Sequence, residues 1–148
     1  MSLLDDIDHC FKTALKNQDQ VKLATLRLLK TALKNRQVQE RRSLTESEIV
    51  AVLSSQVKQR RDSITEYNRV GRSDLAQKEQ EELEFLLSFL PQQLSMADLE
   101  KEVGRIIQEV QAVGPQDLGR VMKAAMAQLA GRVDGRQVQA VAKKLLAG

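Results

Sequence analysis

Apolar residues recur at three- and four-residue intervals along almost the whole chain, the spacing that gathers one face of an α-helix. Leu118, Val121, Met122, Ala125, Met126 and Leu129 form one such stripe between Gly114-Pro115 and Gly131. Val138, Val141, Ala142, Leu145 and Leu146 form the next. In the joint between them a glycine can supply the left-handed residue that ends a helix, and Asp134 can cap the following one. Gln137 completes a capping-box pattern with Asp134, and Val133 and Val138 occupy the two staple positions. A third stripe, Leu99, Val103, Ile106, Ile107 and Val110, precedes these behind Ser95 and Asp98. Three amphipathic helices in about fifty residues can enclose a small core.

The first ninety residues read the same way. Ser2 caps a helix whose face carries Leu3, Leu4, Ile7, Cys10, Phe11, Ala14 and Leu15. A second begins near Asp19 or Gln20, with Val21, Ala24, Leu28, Leu29, Ala32 and Leu33 on its apolar face and Leu23 and Leu26 broadening it. Thr45 and Glu48 form a capping box for a long helix bearing Ile49, Leu53, Val57, Ile64 and Tyr67 and ending near Val70-Gly71. Ser73 or Asp74 opens a fourth, in which Leu75, Ala76, Leu83, Leu86, Leu87 and Leu90 face inward and Glu79, Glu81, Glu82 and Glu84 face water. Pro91 cannot donate the next backbone hydrogen bond and ends it. No stretch alternates with period two, so an all-α protein is expected: an antiparallel unit of about four helices over residues 1–91, then a three-helix domain over residues 95–148. A single continuous bundle with Pro91 as a corner is the alternative.

Composition narrows the class. A chain of 148 residues with 42% apolar and 29% charged residues can bury a real core, and at 3% aromatic content that core must be aliphatic. No apolar run approaches the ~20 residues of a spanning helix, and Asp5, Asp6 and Asp8 stand where an export signal would be basic, so a cytoplasmic protein without a membrane partner is expected. Cys10, the single cysteine, cannot form an internal disulfide.

Charge is distributed unevenly. The last two helices and their joint hold Arg120, Lys123, Arg132, Arg136, Lys143 and Lys144 against Asp117 and Asp134, a local balance of +4 against +3 for the whole chain. Residues 27–42 hold six cations against Glu40 alone. Arg120 and Lys123 are three apart and Arg136 and Lys143 seven apart, so each pair can project from one helix face toward a phosphate backbone. Without stacking aromatics, such a surface suits the shape of a folded RNA better than base-by-base readout.

Candidate chemistry is sparse. His9 and Cys10 are adjacent, and neighbouring helical positions diverge by about 100°, so they do not share a face as a ligand pair would. Glu79 to Glu84 read as a solvated face rather than a tuned acid–base pair. Phosphate-loop, dinucleotide, zinc-protease and nucleophile-elbow motifs are absent. No catalytic residue, metal or cofactor is assigned.

Phe89-Leu90-Pro91-Gln92-Gln93-Leu94-Ser95, Asp117-Leu118-Gly119-Arg120-Val121-Met122-Lys123 and Gly131-Arg132-Val133-Asp134-Gly135, at these separations, resemble the bacterial YqeY-like family. Val57-Lys58-Gln59-Arg60-Arg61-Asp62-Ser63-Ile64 and Gly71-Arg72-Ser73-Asp74-Leu75-Ala76 look like its N-terminal half. The resemblance covers nearly the whole chain. It implies a small all-helical protein whose C-terminal domain is similar to the tail of GatB, the subunit of the aspartyl/glutamyl-tRNA amidotransferase that contacts tRNA there. It thus implies a tRNA-related role and association with glutamine-dependent carbon–nitrogen ligation, with the amidotransferase or another protein as a further partner. The chain itself has no glutaminase apparatus and no cradle for activating a tRNA-linked carboxylate. Where the family often has methionine and two lysines, this sequence has Leu118, Gln128 and Ala130, which thins the basic patch. Arg120, Lys123, Arg132, Arg136, Lys143 and Lys144 are the expected RNA-binding residues. A helical protein-interaction module built on the basic helices of residues 27–61 is the third reading.

Overall fold

The computed structural model describes residues 2–148 and contains, among them, seven α-helices, one 3-10 turn and no strand. Helices α1 (Leu3–Asn17), α2 (Gln20–Glu40), α3 (Glu46–Arg69) and α4 (Ser73–Leu87) precede Pro91. Helices α5 (Met96–Glu109), α6 (Leu118–Gln128) and α7 (Gly135–Ala147) follow it, with the 3-10 turn at Pro115–Asp117 leading into α6. The chain divides into two compact units, one ending at Pro91 and the other running from Gln92 to Gly148.

Most helix starts are set by groups within three residues. Thr45 Oγ1 accepts from the Glu48 N–H at 3.2 Å while Glu48 Oε1 accepts from the Thr45 N–H at 2.9 Å, so two otherwise orphaned donors are satisfied reciprocally. Ser2 and Asp5 do the same for α1, and Asp19 and Ser95 cap α2 and α5. Two expectations fail here. α4 starts after Arg72 with no side-chain cap: Ser73 and Asp74 are already its first two residues, and Asp74 pairs with the Arg72 guanidinium at 3.2 Å. Asp134 does cap α7, through the Arg136 N–H at 3.0 Å, but Gln137 does not complete a box. Gly71 and Gly131 take φ of +75° and +79°, a left-handed conformation that an L side chain adopts only with strain.

The core of the first unit joins Ile7 and Ala14 of α1, Leu23, Leu26, Leu29 and Leu33 of α2, Ile49, Val52, Leu53 and Val57 of α3, and Leu83 and Leu86 of α4. Each fully buried Leu or Ile is worth about 1.5–3 kcal/mol of transfer free energy. The buried face of α2 differs from the expected one. Leu26 is 0% and Leu28 is 55% exposed, with Val21 and Ala24 also on the solvent side. Apolar residues surround α2, so the packing of α1, α3 and α4 chooses its face. Thr25 is buried beside Leu26, its hydroxyl donating to the Val21 carbonyl at 3.0 Å, which removes the cost of burying it. Leu4 and Leu15 of α1 are likewise more than two-fifths exposed.

The second unit buries Leu99, Val103 and Ile106 of α5, Val121 and Ala125 of α6, Leu129 beyond it, and Val138, Val141, Ala142 and Leu146 of α7. Leu118, Met122 and Val133 close the edges. Met126 and Leu145 lie at the rim of their stripes and stay partly exposed.

Candidate nucleic-acid interface

In the second unit the segment after Pro91 is stitched to the α6–α7 joint. The Leu94 N–H donates to the Arg132 carbonyl at 3.0 Å, and Gln93 Nε2 donates to the Gly131 carbonyl at 2.6 Å. Arg132 Nε donates to the Gln92 carbonyl at 3.4 Å. These bonds bring together two sequence stretches about forty residues apart, and the left-handed Gly131 turns its carbonyl into reach.

The six expected RNA-binding residues divide by what they already hold. Arg120 is committed: Nη1 donates to the Val110 carbonyl at the end of α5, 2.9 Å away, and Nη2 lies 3.1 Å from Asp117 Oδ1. Asp117 also accepts from the Val113 N–H at 2.9 Å. That backbone bond, and then the Arg120 guanidinium, hold its carboxyl below the usual carboxylate range. Arg132 is half-buried at the joint, and Lys144 reaches Glu100 of α5 at 3.7 Å. Arg136 is exposed near Asp134, whose side chain caps its backbone. Lys123 and Lys143 are exposed and pair with no acidic group among the described residues.

Helical register places these groups on outer faces. In α6, Arg120 and Lys123 stand opposite Val121 and Ala125, one turn apart. In α7, Arg136 and Lys143 stand two turns apart, opposite Val138 and Val141. Gln128 links α6 to α5: it accepts from Arg105 Nη2 at 2.9 Å and donates to Glu109 at 3.3 Å. Arg105 also binds Glu102 and Glu109. A carboxamide both donates and accepts, whereas lysine would set a second cation against Arg105.

The first unit holds the charged cluster that sequence reasoning missed. Arg60 Nη1 lies 3.0 Å from Glu79 Oε2 and 2.7 Å from Glu82 Oε2, and the three side chains are only 13%, 17% and 8% exposed. Glu79 and Glu82 therefore face α3 rather than water. The signal was present: Glu79, Glu82, Leu83 and Leu86 follow the i, i+3, i+4, i+7 spacing of one helix face. A second cluster joins Arg36, Glu40, Arg42 and Glu48. Bonds from Arg42 at 2.7 and 3.1 Å, then the Thr45 N–H, lower the Glu48 pKa to about 2. His9 and Cys10 border one cleft with Thr13, Asn17 and Asp19, although Cys10 also packs against the core. No group of three or more metal-ligating side chains occurs among the described residues, and no helix there is long and apolar enough to cross a membrane.

Fold and site together define an all-helical protein whose arginines are largely spent on carboxylates and carbonyls, leaving exposed lysines on the outer faces of α6 and α7. It belongs to the YqeY-like protein family, whose model matches residues 4–146. The chain is similar to fungal proteins named altered inheritance of mitochondria protein 41, mitochondrial. It is 29% identical to that of Lachancea thermotolerans over 70% of this chain and 57% of the relative. With that of Eremothecium gossypii it shares 34% over 53% of this chain and 44% of the relative, and with that of Pyrenophora tritici-repentis 26% over 86% and 71%. The chain thus spans 57% and 43% of the lengths of the Lachancea thermotolerans and Vanderwaltozyma polyspora relatives. Their fungal source and mitochondrial name attach to those proteins and lend no support to a bacterial source or a cytoplasmic location here.

Proposed function

We propose that this chain is a noncatalytic tRNA-binding or tRNA-amidotransferase-associated accessory protein, contacting folded RNA through the outer faces of α6 and α7. The observation that carries the reading is that Lys123 and Lys143 are exposed and uncommitted, with Arg120 and Arg136 on the same faces. Every aromatic residue lies before Pro91, so the second unit has nothing on which to stack a base. That favours phosphate contact and shape over sequence. Lysine is a flexible point charge, suited to a backbone whose register is not read.

The test is fluorescence anisotropy of the full chain with bulk tRNA over a salt series. Each phosphate contact contributes a log–log slope of about −0.7 to −0.9. Lys123→Glu with Lys143→Glu is expected to flatten the slope by about 1.4–1.8 and to weaken binding at least tenfold at low salt. Lys12→Glu with Lys16→Glu makes the same charge change on exposed positions of α1. Equal losses in both variants would mean that net charge alone drives binding, and the reading would fail. The amidotransferase association is tested by adding the chain to a complete amidotransferase and measuring co-sedimentation and transamidation; no change in either removes it.

A further inference from the structure

Between α2 and α3 runs a polar groove made of two cavities, about 310 Å³ and 160 Å³, that share Gln56 and Gln59 as walls. Asn35 and Gln39 line its α2 side. None of these four carboxamides makes a hydrogen bond among the described residues. Arg36 lines one cavity and Arg60 the other. Each faces two carboxylates, Glu40 and Glu48 for Arg36 and Glu79 and Glu82 for Arg60, so neither brings net positive charge to the groove. Arg60 Nη1 lies within ion-pair distance of both of its carboxylates. The floor is small and apolar at Ala32 and Val52, Ala51 stands exposed at its edge, and Leu28 stands exposed at one end.

We infer that this groove binds an extended peptide segment of a partner protein through its main-chain amides. Carboxamides offer both a donor and an acceptor, matching the paired N–H and C=O of a peptide unit. Asn35 and Gln39 are four residues apart and Gln56 and Gln59 three, rises of about 6.0 Å and about 4.5 Å along their helices. Alternate residues of an extended chain repeat at about 6.7 Å, a mismatch that glutamine side chains absorb. From Leu28 to Gln39 α2 rises about 16 Å, the length of about five extended residues. Leu28 supplies an anchor for one apolar side chain of that segment. The neutralised arginines argue against a phosphate ligand, and no aromatic ring lines the groove to stack a nucleobase. This inference is independent of the RNA reading, which concerns the other unit.

The test selects a displayed library of random pentapeptides on the full chain and remeasures the enriched sequences as capped synthetic peptides. Wild-type protein is expected to enrich peptides with one apolar residue at a fixed position. Gln56→Leu with Gln59→Leu should weaken them about tenfold or more, as should N-methylation of alternate peptide amides. Ala51→Tyr, at an exposed position, fills the groove without removing a polar group and should abolish binding. Unchanged urea midpoints confirm that both variants fold, and Lys123→Glu with Lys143→Glu should leave peptide affinity unaltered. Enrichment equal on wild type and Ala51→Tyr, or peptide affinity untouched by the glutamine substitutions, would overturn the inference. Loss of tRNA binding in the glutamine variant without loss of peptide binding would assign the groove to RNA and overturn it equally.

Discussion

Replacing Arg60 with methionine isolates the charge cluster of the first unit. The substitution keeps an apolar stem of similar length and leaves Glu79 and Glu82 facing each other across a site where they are 17% and 8% exposed. An exposed ion pair is worth about 0–1 kcal/mol, whereas breaking a buried one costs about 3–5 kcal/mol because a charge is stranded. With the guanidinium itself 13% exposed, the lower end of the buried range applies, and about 3 kcal/mol is expected. The chain has no tryptophan and one tyrosine, Tyr67 in α3, so tyrosine fluorescence in a urea titration reports the first unit alone. At a slope of about 1.3 kcal/mol per molar, the midpoint should fall by about 2 M. Glu82→Leu should cost less, since Arg60 keeps Glu79. Arg60→Met combined with Glu79→Gln and Glu82→Leu should recover most of the loss, the coupling measuring the cluster rather than the lost volume. A midpoint shift under about 0.7 M for Arg60→Met would place the cluster in the surface class and refute the reasoning.

Other perturbations follow from the same geometry. Leu26→Ala should destabilise the first unit by about 3 kcal/mol and Leu28→Ala by about 0.5 kcal/mol or less, and equal midpoint shifts would show the buried face of α2 to be misassigned. Glu48 has a folded pKa of about 2 against 4.5 for the free side chain, so its contribution is full above pH 4.5 and is lost as pH falls from 4.5 through 2. Urea midpoints measured across that window should fall more steeply for wild type than for Glu48→Gln, and parallel curves would count against the Arg42 contact. Gly131→Ala should cost about 1 kcal/mol or more through its positive φ, seen in circular dichroism melts of the second unit. Gln128→Lys, which loses the Arg105 acceptor, should cost about 1 kcal/mol, and an unchanged melt would show that bridge to be energetically idle.

The all-helical fold and most helix boundaries were legible in the sequence because their causes are local. Ser2, Asp19, Thr45 and Ser95 cap through N–H groups three residues away, and a cap of that kind forms whatever the rest of the chain does. Even where local pattern misled, at Asp134 and Gln137 or at Ser73, the helix still formed within a residue or two of the expected start. Among the site residues, the sequence alone placed Arg120 with Lys123, and Arg136 with Lys143, on single helix faces.

Tertiary structure decided which of those groups are free. Arg120 caps α5 across ten residues, Arg132 reaches back forty to Gln92, and Lys144 meets Glu100 on another helix. It also chose the buried side of α2, ringed with apolar residues, and turned Glu82 inward toward an arginine on α3. A hydrogen bond within one helical turn is written in neighbouring residues, whereas burial and charge pairing depend on which helix lies opposite. That is why Lys123 and Lys143 stand out as the uncommitted pair of the α6 and α7 faces only once the helices are packed.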